Sequence, residues 1–148
     1  MKSREKAKPS TSGAEAWLRF AADDEKVAVL ILKDGPWNMV CFHAEQGAEK
    51  CLKAFLRART GNVPRVHSLA KLIELCAKHD RSFLRIKNRG LSLDRYYIPT
   101  RYPEAAPGAL PEGLPNRHDA QSALSDMRKI NKHVRKQLHK PTHGPLGL

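Results

Sequence analysis

The sequence has few aromatic residues, few cysteines and no long hydrophobic run. Aromatic residues make up 6% of the 148 positions. The three cysteines, Cys41, Cys51 and Cys76, are odd in number and match no zinc-ligand spacing, so we predict neither a disulfide framework nor a zinc site. We expect buried thiols that act as small hydrophobic groups in a reducing, cytoplasmic compartment. No apolar stretch has the length of a membrane span or follows the basic N-terminus as in a signal peptide, so no membrane partner is predicted.

Several catalytic and cofactor-binding patterns are also missing. The sequence has no Gly-rich phosphate loop and no motif that presents a Ser or Cys nucleophile. Its seven histidines form no metal-ligand pattern, since Pro141 interrupts any helix face shared by His139 and His143. We therefore predict neither a metal nor a cofactor.

Acidic residues are scarce relative to basic ones. Lys and Arg total 27 against 15 Asp and Glu, which gives a formal net charge of +12 at pH 7. Charge of this size on a small domain repels itself, and a bound anion relieves the repulsion. Polyphosphates, RNA, DNA and anionic membranes are the candidate anions, with the membrane ranked low. The alternative is a basic protein without a cognate anion.

The chain is long enough for one domain with a single core. Residues 1–13 and 141–148 are predicted to form a flexible basic arm and a flexible tail, because they are rich in Pro, Gly and small polar or basic residues. Helices are predicted over about 15–33, 37–60, 67–78, 82–91 and 117–139, and a long proline-rich loop over about 96–116. No strand has a partner. The domain 14–140 is therefore predicted to be all-α, an antiparallel four- to five-helix up-down bundle.

Local signals indicate where these helices begin, end and meet. Gly61 follows the second helix and favours a C-cap, and Asn116 or Asp119 favours capping at the start of the last helix. Gly47 lies in the middle of the second helix, where glycine is unfavourable by about 1 kcal/mol. We interpret it as a point of close helix–helix approach.

Three segments, in this order, carry a resemblance to a known family. They are residues 45–56 (EQGAEKCLKAFL), residues 65–69 (RVHSL) followed by Leu72, and residues 96–104 (YYIPTRYPE). Over about residues 15–140 the chain resembles the HEPN domain, in the subgroup whose loop carries Tyr, Arg, Tyr and Pro. The resemblance implies a helical bundle that frequently dimerises and binds nucleotides or RNA, often beside a minimal nucleotidyltransferase. Some members of the family are ribonucleases, often toxins.

Two candidates for phosphate binding lie on the second helix. Lys50 and Lys53 are three residues apart on its polar face, where two ammonium groups can bind phosphate electrostatically as point charges. The alternative is a solvated face on which the lysines pair with Glu49. His67 is a further candidate to contact phosphate or base, or else to hydrogen-bond locally at a helix start.

The proline-rich segment offers rings and a guanidinium. Tyr97 and Tyr102 can stack on a base, while the planar guanidinium of Arg101 forks onto phosphate. Pro99 and Pro103 stiffen the segment, which lowers the entropy lost on binding. The alternative is structural: the tyrosines pack the loop against the bundle and Arg101 caps a helix end.

A second hypothesis concerns the last helix. Arg128 and His133, with Asn131 between them, resemble the Arg and His of the ribonuclease members, where His acts as acid or base on a 2′-hydroxyl and Arg holds the phosphate. Five residues of straight helix place the two side chains roughly 140° apart, so a dimer or a distorted turn is needed to bring them together. The competing hypotheses are thus a nucleotide- or RNA-binding module, a metal-independent endoribonuclease, and an interaction protein without nucleotide affinity.

Overall fold

The computed structural model describes residues 11–102 and 113–140, and these contain six α-helices, one 3₁₀ segment and no strand. The elements are α1 (Thr11–Ile31), α2 (Trp37–Thr60), α3 (Leu69–Ala77), the 3₁₀ segment (Arg81–Ile86), α4 (Lys87–Asp94), α5 (Tyr97–Arg101) and α6 (Arg117–Leu138). The prediction of an all-α bundle is confirmed. Within the described residues, no helix combines the length and the apolar character needed to cross a membrane.

Two stretches depart from the predicted boundaries. Residues 11–13, predicted as part of the arm, belong to α1; residues 1–10 and the tail 141–148 lie outside the described residues. The segment predicted as a loop over about 96–116 begins with the short helix α5, and residues 103–112, including Pro103, lie outside the description. Pro99 is compatible with α5 because it stands in the first turn, where the backbone N–H has no acceptor within the helix.

The helix ends follow the local signals in the sequence. Gly61 adopts a left-handed conformation, with φ +78°, and its N–H donates to the carbonyl of Arg57. At the start of α6, Asn116 and Asp119 form a reciprocal capping box, each side chain accepting from the other residue's backbone N–H at 2.9 Å. Both predicted caps are therefore present, and they satisfy N–H and C=O groups that the helix itself leaves unpaired.

Contacts between the long helices reveal their relative directions. α1 and α2 are antiparallel, because Ala21 lies beside Gly47, whereas Leu32, directly after α1, lies beside Trp37. In contrast, Cys51 meets the carbonyl of Asn131, and Arg59 that of Gln137, so α2 and α6 run parallel. The helices therefore do not alternate strictly between up and down along the chain. Residues 61–68, which contain no helix, run back alongside α2 before α3 begins.

The core lies around α2, which packs against α1, α3 and α6. Its apolar face carries Cys41 and Cys51, and both thiols are buried and free, as is Cys76 of α3. Burial raises the pKa of Cys41 and of Cys51 to about 12, so these thiols stay protonated and behave as hydrophobic groups. A Cβ built on Gly47 would lie 3.4 Å from the carbonyl oxygen of Ala21, so the helices approach closely there without excluding alanine.

Candidate functional site

A stripe of charged side chains on α2 is buried rather than solvated. Glu45, Glu49 and Lys53 recur every four residues and are 0%, 6% and 6% exposed. Residues at this spacing lie above one another on a helix, so their charges interact along one face. Lys53 Nζ lies 3.4 Å from Glu49 Oε2, which is the predicted Glu–Lys pair. α5 and the segment before α3 lie over Glu45 and Glu49, as their contacts with Arg101 and His67 show.

Arg101 of α5 sits directly over this stripe. Its Nη1 lies 2.8 Å from Glu45 Oε2 and also donates to the carbonyl of Tyr97 at 3.1 Å. The guanidinium lies over the Tyr97 ring, 3.9 Å from its centre, and 5.0 Å from the centre of the Phe42 ring. Arg101 therefore pins α5 to α2 by one ion pair and by contacts with two rings. The second contact with the Tyr97 carbonyl matches the helix-end role considered as the alternative for this residue.

Glu45 is the least satisfied polar group of the site. Its contact with Arg101 is an ion pair without the alignment of a hydrogen bond, so neither carboxylate oxygen has a hydrogen-bond partner among the described residues. Burial raises the pKa of Glu45, and the nearby charge of Glu49 acts in the same direction, while Arg101 lowers it in part. The carboxylate consequently depends on Arg101 as its counter-ion.

His67 connects the stripe to an open depression. Its Nδ1 lies 3.0 Å from Glu49 Oε1, its side chain is 61% exposed, and its ring centre lies 6.1 Å from that of Tyr97. The depression has a volume of about 440 Å³, and His67, Ser68, Asp94, Tyr97 and Ile98 line it. We call Glu45, Glu49, Lys53, His67, Tyr97 and Arg101 the α2–α5 site.

The N-terminus of α3, beside the same depression, already holds an anionic group. The carboxylate of Asp94 accepts from the backbone N–H groups of Leu69 at 2.7 Å and Ala70 at 3.0 Å, and from the Ser68 hydroxyl at 3.1 Å. A helix N-terminus attracts phosphate through these same N–H groups. Because Asp94 occupies them, the depression offers ring faces and His67 rather than a helix-end phosphate site.

Lys50 does not belong to the α2–α5 site. Its Nζ lies 2.6 Å from Asp24 Oδ2 of α1, and the other oxygen of Asp24 lies 2.9 Å from His43 Nδ1. The two lysines thus reach different carboxylates, Asp24 of α1 and Glu49 of α2, and do not converge as the sequence suggested. Sequence reasoning missed Asp24 as a partner, although this acidic residue interrupts the apolar face of α1, which is the signal that it faces a cation.

Tyr102 follows α5 and is 54% exposed. It stands at the edge of the described residues, directly before position 103. The ring is therefore accessible next to the α2–α5 site, while Tyr96, which was not a candidate, is the buried tyrosine that packs α5 onto the core.

Arg128 and His133 of α6 lie apart in the single chain. Arg128 Nε lies 3.4 Å from Glu25 of α1, whereas His133 Nε2 lies 2.9 Å from the hydroxyl of Ser82 and its ring packs edge-on against Phe83. Burial lowers the pKa of His133; the carboxylate of Asp80 opposes this in part, and the charges of Arg85, Lys136 and Lys140 add to the lowering. The imidazole is thus neutral near pH 7, as a general base must be.

Similar proteins have been characterised structurally. The HEPN domain family model matches residues 14–137. The crystal structure of TT1696 from Thermus thermophilus shares 35% sequence identity and has a TM-score of 0.72; the match covers 84% of this chain and 97% of that one. The crystal structure of ST0689, described as an archaeal HEPN homologue, shares 26% identity with a TM-score of 0.66 and the same coverage. No curated protein matches the chain.

Proposed function

The chain belongs to the HEPN domain family, and on that premise we propose that it binds a nucleotide or an RNA end at the α2–α5 site. The observation that carries this proposal is Arg101, which lies against the Tyr97 ring beside an open depression. A base stacks on Tyr97 or His67, as bases do on exposed rings in nucleic-acid-binding proteins. Tyr102, exposed at the end of α5, supplies a further ring.

The phosphate is held by the donors of Arg101 that remain free. A guanidinium carries five N–H donors, and in this structure one nitrogen, Nη1, serves both Glu45 and the Tyr97 carbonyl. The side chain keeps 18% of its surface exposed, so a phosphate oxygen has access to it. His67 is exposed and adds a donor, whereas the ammonium groups of Lys53 and Lys50 are already paired with Glu49 and Asp24 and would have to leave these carboxylates to contact phosphate.

The local charges shape the expected affinity. Glu45 and Glu49 balance Lys53 and Arg101, so the site has no surplus positive charge of its own. We therefore expect stacking to supply most of the affinity for a mononucleotide, with a weak salt dependence. Each phosphate neutralised on a single strand changes the logarithm of the binding constant by about −0.7 per logarithmic unit of salt.

Titration of ATP, GTP and a short RNA at two salt concentrations tests the proposal. Tyr97→Leu removes the ring, and since base stacking contributes about 1–3 kcal/mol per base, at least a fivefold loss of affinity is expected. Phe20→Leu, which removes an exposed ring from α1, is the matched control and should change affinity less than twofold. No binding of any of the three ligands at low salt would end this proposal.

A second candidate function is metal-independent cleavage of RNA by Arg128 and His133. The observation in its favour is the 2.9 Å hydrogen bond that holds His133 Nε2 against the Ser82 hydroxyl, and burial lowers the pKa of this imidazole, which favours its neutral form. Because Arg128 points toward α1, a second copy of the chain must bring the two groups together. Incubation of the protein with total RNA in EDTA tests this activity. Intact RNA, or cleavage unchanged in His133→Ala, would remove these residues from the mechanism.

We also propose two protein partners for this chain: a second copy of itself and a minimal nucleotidyltransferase. Sedimentation of the purified protein tests the homodimer. Co-expression with the product of the neighbouring gene tests the second partner. Stable association without any nucleotide affinity would instead favour an interaction protein of the toxin–antitoxin kind.

A further inference from the structure

The solvent-facing side of α6 is a row of cations. Its members are exposed and lie within an arc of roughly 140° around the helix, along roughly 18 Å of its length. They are Arg128, Lys129, Lys132, Arg135, Lys136 and, directly after the helix, Lys140. We call them the α6 stripe. No Asp or Glu occurs between positions 127 and 140, so no acidic residue of α6 itself interrupts this charge.

Unlike the cations of the α2–α5 site, those of the stripe are mostly uncompensated. Of the six stripe cations, Arg128 alone has a carboxylate partner among the described residues, Glu25 at 3.4 Å. Like charges four residues apart, such as Lys132 and Lys136, repel one another. The dipole of α6 favours the basic residues of its last turn, but this accounts for only part of the row.

Neighbouring elements widen the stripe. Arg59 of α2 reaches the end of α6, where its guanidinium donates to the carbonyl of Gln137 at 3.2 Å. Arg85 of the 3₁₀ segment lies close enough to His133 to lower its pKa. At the other end, Arg128 and Lys129 line an open depression of about 380 Å³ between α6 and the end of α1.

We propose that the α6 stripe binds the phosphate backbone of single-stranded RNA, independently of base sequence. The identity of the polymer as RNA rests on the proposed function; the preference for a polyanion rests on the stripe. None of the exposed large hydrophobic side chains of the described residues lies on α6. A membrane surface or a protein partner would be expected to meet apolar anchors there, whereas a phosphate backbone needs only cations.

The single free face of α6 favours a single strand over an RNA duplex. Among the described elements, α6 packs against α2 and α4, and α1 lies beside it, so one face remains for a ligand. The major groove of an RNA duplex is too deep and narrow for side chains to read, so a duplex would offer this face only its outer phosphates. A flexible strand can instead follow the exposed row along the length of the helix. The positive charges then neutralise phosphates one by one, and the released counterions make the binding strongly salt-dependent.

The stripe and the α2–α5 site are on different sides of α2. Cys51 faces α6, whereas Glu45 and Glu49 face α5 and His67. Around the axis of α2, Glu45 and Glu49 are rotated by roughly 120° and 160° from Cys51. A mononucleotide therefore reports on the α2–α5 site, and a longer strand reports on the stripe as well.

The test is a fluorescence titration of a 20-nucleotide single-stranded RNA against the full chain at several salt concentrations. The stripe variant carries Lys129→Gln, Lys132→Gln and Lys136→Gln at exposed positions. The control removes the same charge elsewhere, by Lys26→Gln, Lys71→Gln and Lys78→Gln.

We expect the stripe variant to bind at least tenfold more weakly near 100 mM salt, with the salt slope reduced by about 2 because three contacts are lost. The control should bind within twofold of wild type. Equal weakening in both variants would show that net charge alone governs binding and would overturn the proposal. Tighter binding to a duplex of equal length, or to vesicles rich in anionic lipid, would overturn it as well.

A parallel titration with ATP and GTP separates this proposal from the proposed function. If the stripe variant retains the mononucleotide affinity of wild type but loses RNA, the proposal is supported. If wild type binds neither mononucleotide while RNA binding still depends on the stripe, the α2–α5 proposal fails and the stripe stands. If mononucleotides bind and the stripe variant keeps full RNA affinity, the stripe proposal fails alone.

Discussion

Arg101→Met tests whether the ion pair with Glu45 holds α5 on the bundle. Methionine keeps an unbranched stem between Phe42 and Tyr97 and removes the charge. Glu45 is fully buried and would lose its counter-ion, and breaking a buried pair in this way costs about 3–5 kcal/mol. Two features reduce the loss: Arg101 is 18% exposed, and the raised pKa of Glu45 allows it to take up a proton. We expect about 2–3 kcal/mol at pH 8.

Urea unfolding followed by circular dichroism measures this loss, with the free energy of unfolding derived from the midpoint at constant slope. Lowering the pH from 8 to 5 should shrink the difference between wild type and variant, because a protonated Glu45 needs no counter-ion. The double variant Arg101→Met with Glu45→Gln should recover to within about 1 kcal/mol of wild type, since neither charge is then buried alone.

Arg95→Met is the matched control, because Arg95 is exposed and lies outside the α2–α5 site. Its effect should stay within about 0.5 kcal/mol. A loss below that level for Arg101→Met at pH 8, or no recovery with Glu45→Gln, would refute the reasoning that Glu45 depends on Arg101.

Two further predictions concern packing and protonation. In Gly90→Ala, the new Cβ would lie 2.5 Å from Ile73 Cδ1, so we expect a destabilisation of about 1–3 kcal/mol in urea unfolding. Ile73→Val removes that methyl group and should partly restore the stability of Gly90→Ala. Additive losses in the double variant would contradict this. The lowered pKa of His133 means that the unfolded chain takes up this proton first as pH falls below about 6.5, so stability decreases on acidification from pH 7.5 to 5.5. His133→Gln should lack that part of the decrease, and parallel pH curves for wild type and variant would disprove it.

Local chemistry made much of the fold predictable. Gly61 and Asn116 mark helix ends because left-handed backbone and an N-cap oxygen are needed there, whatever surrounds them. The burial of Cys41 and Cys51 followed from their place in an apolar row with helical spacing. The short helix α5 was missed because the proline-rich segment over about 96–116 was interpreted as a loop, although the one proline of α5, Pro99, stands in its first turn, where proline is tolerated.

The site residues were only partly predictable. Tyr97, Arg101 and His67 were singled out, and the structure brings them together around Glu49 and Glu45. Lys50 and Lys53 were expected to act together, but each has its own carboxylate. Periodicity identifies the polar face of α2, yet it contains no information on which acidic residue of another helix lies opposite.

The sequence by itself determined that this chain is a helical bundle with a large excess of positive charge, because helix formation, capping and net charge depend on residues close in the chain or on composition alone. Only the tertiary structure decided where that charge is neutralised. Packing brings Asp24 to Lys50 and Glu45 to Arg101, across separations of 26 and 56 positions, and leaves the cations of α6 facing solvent. Such pairings follow from how the helices are oriented and stacked, since electrostatic interaction depends on distance in space and not along the chain.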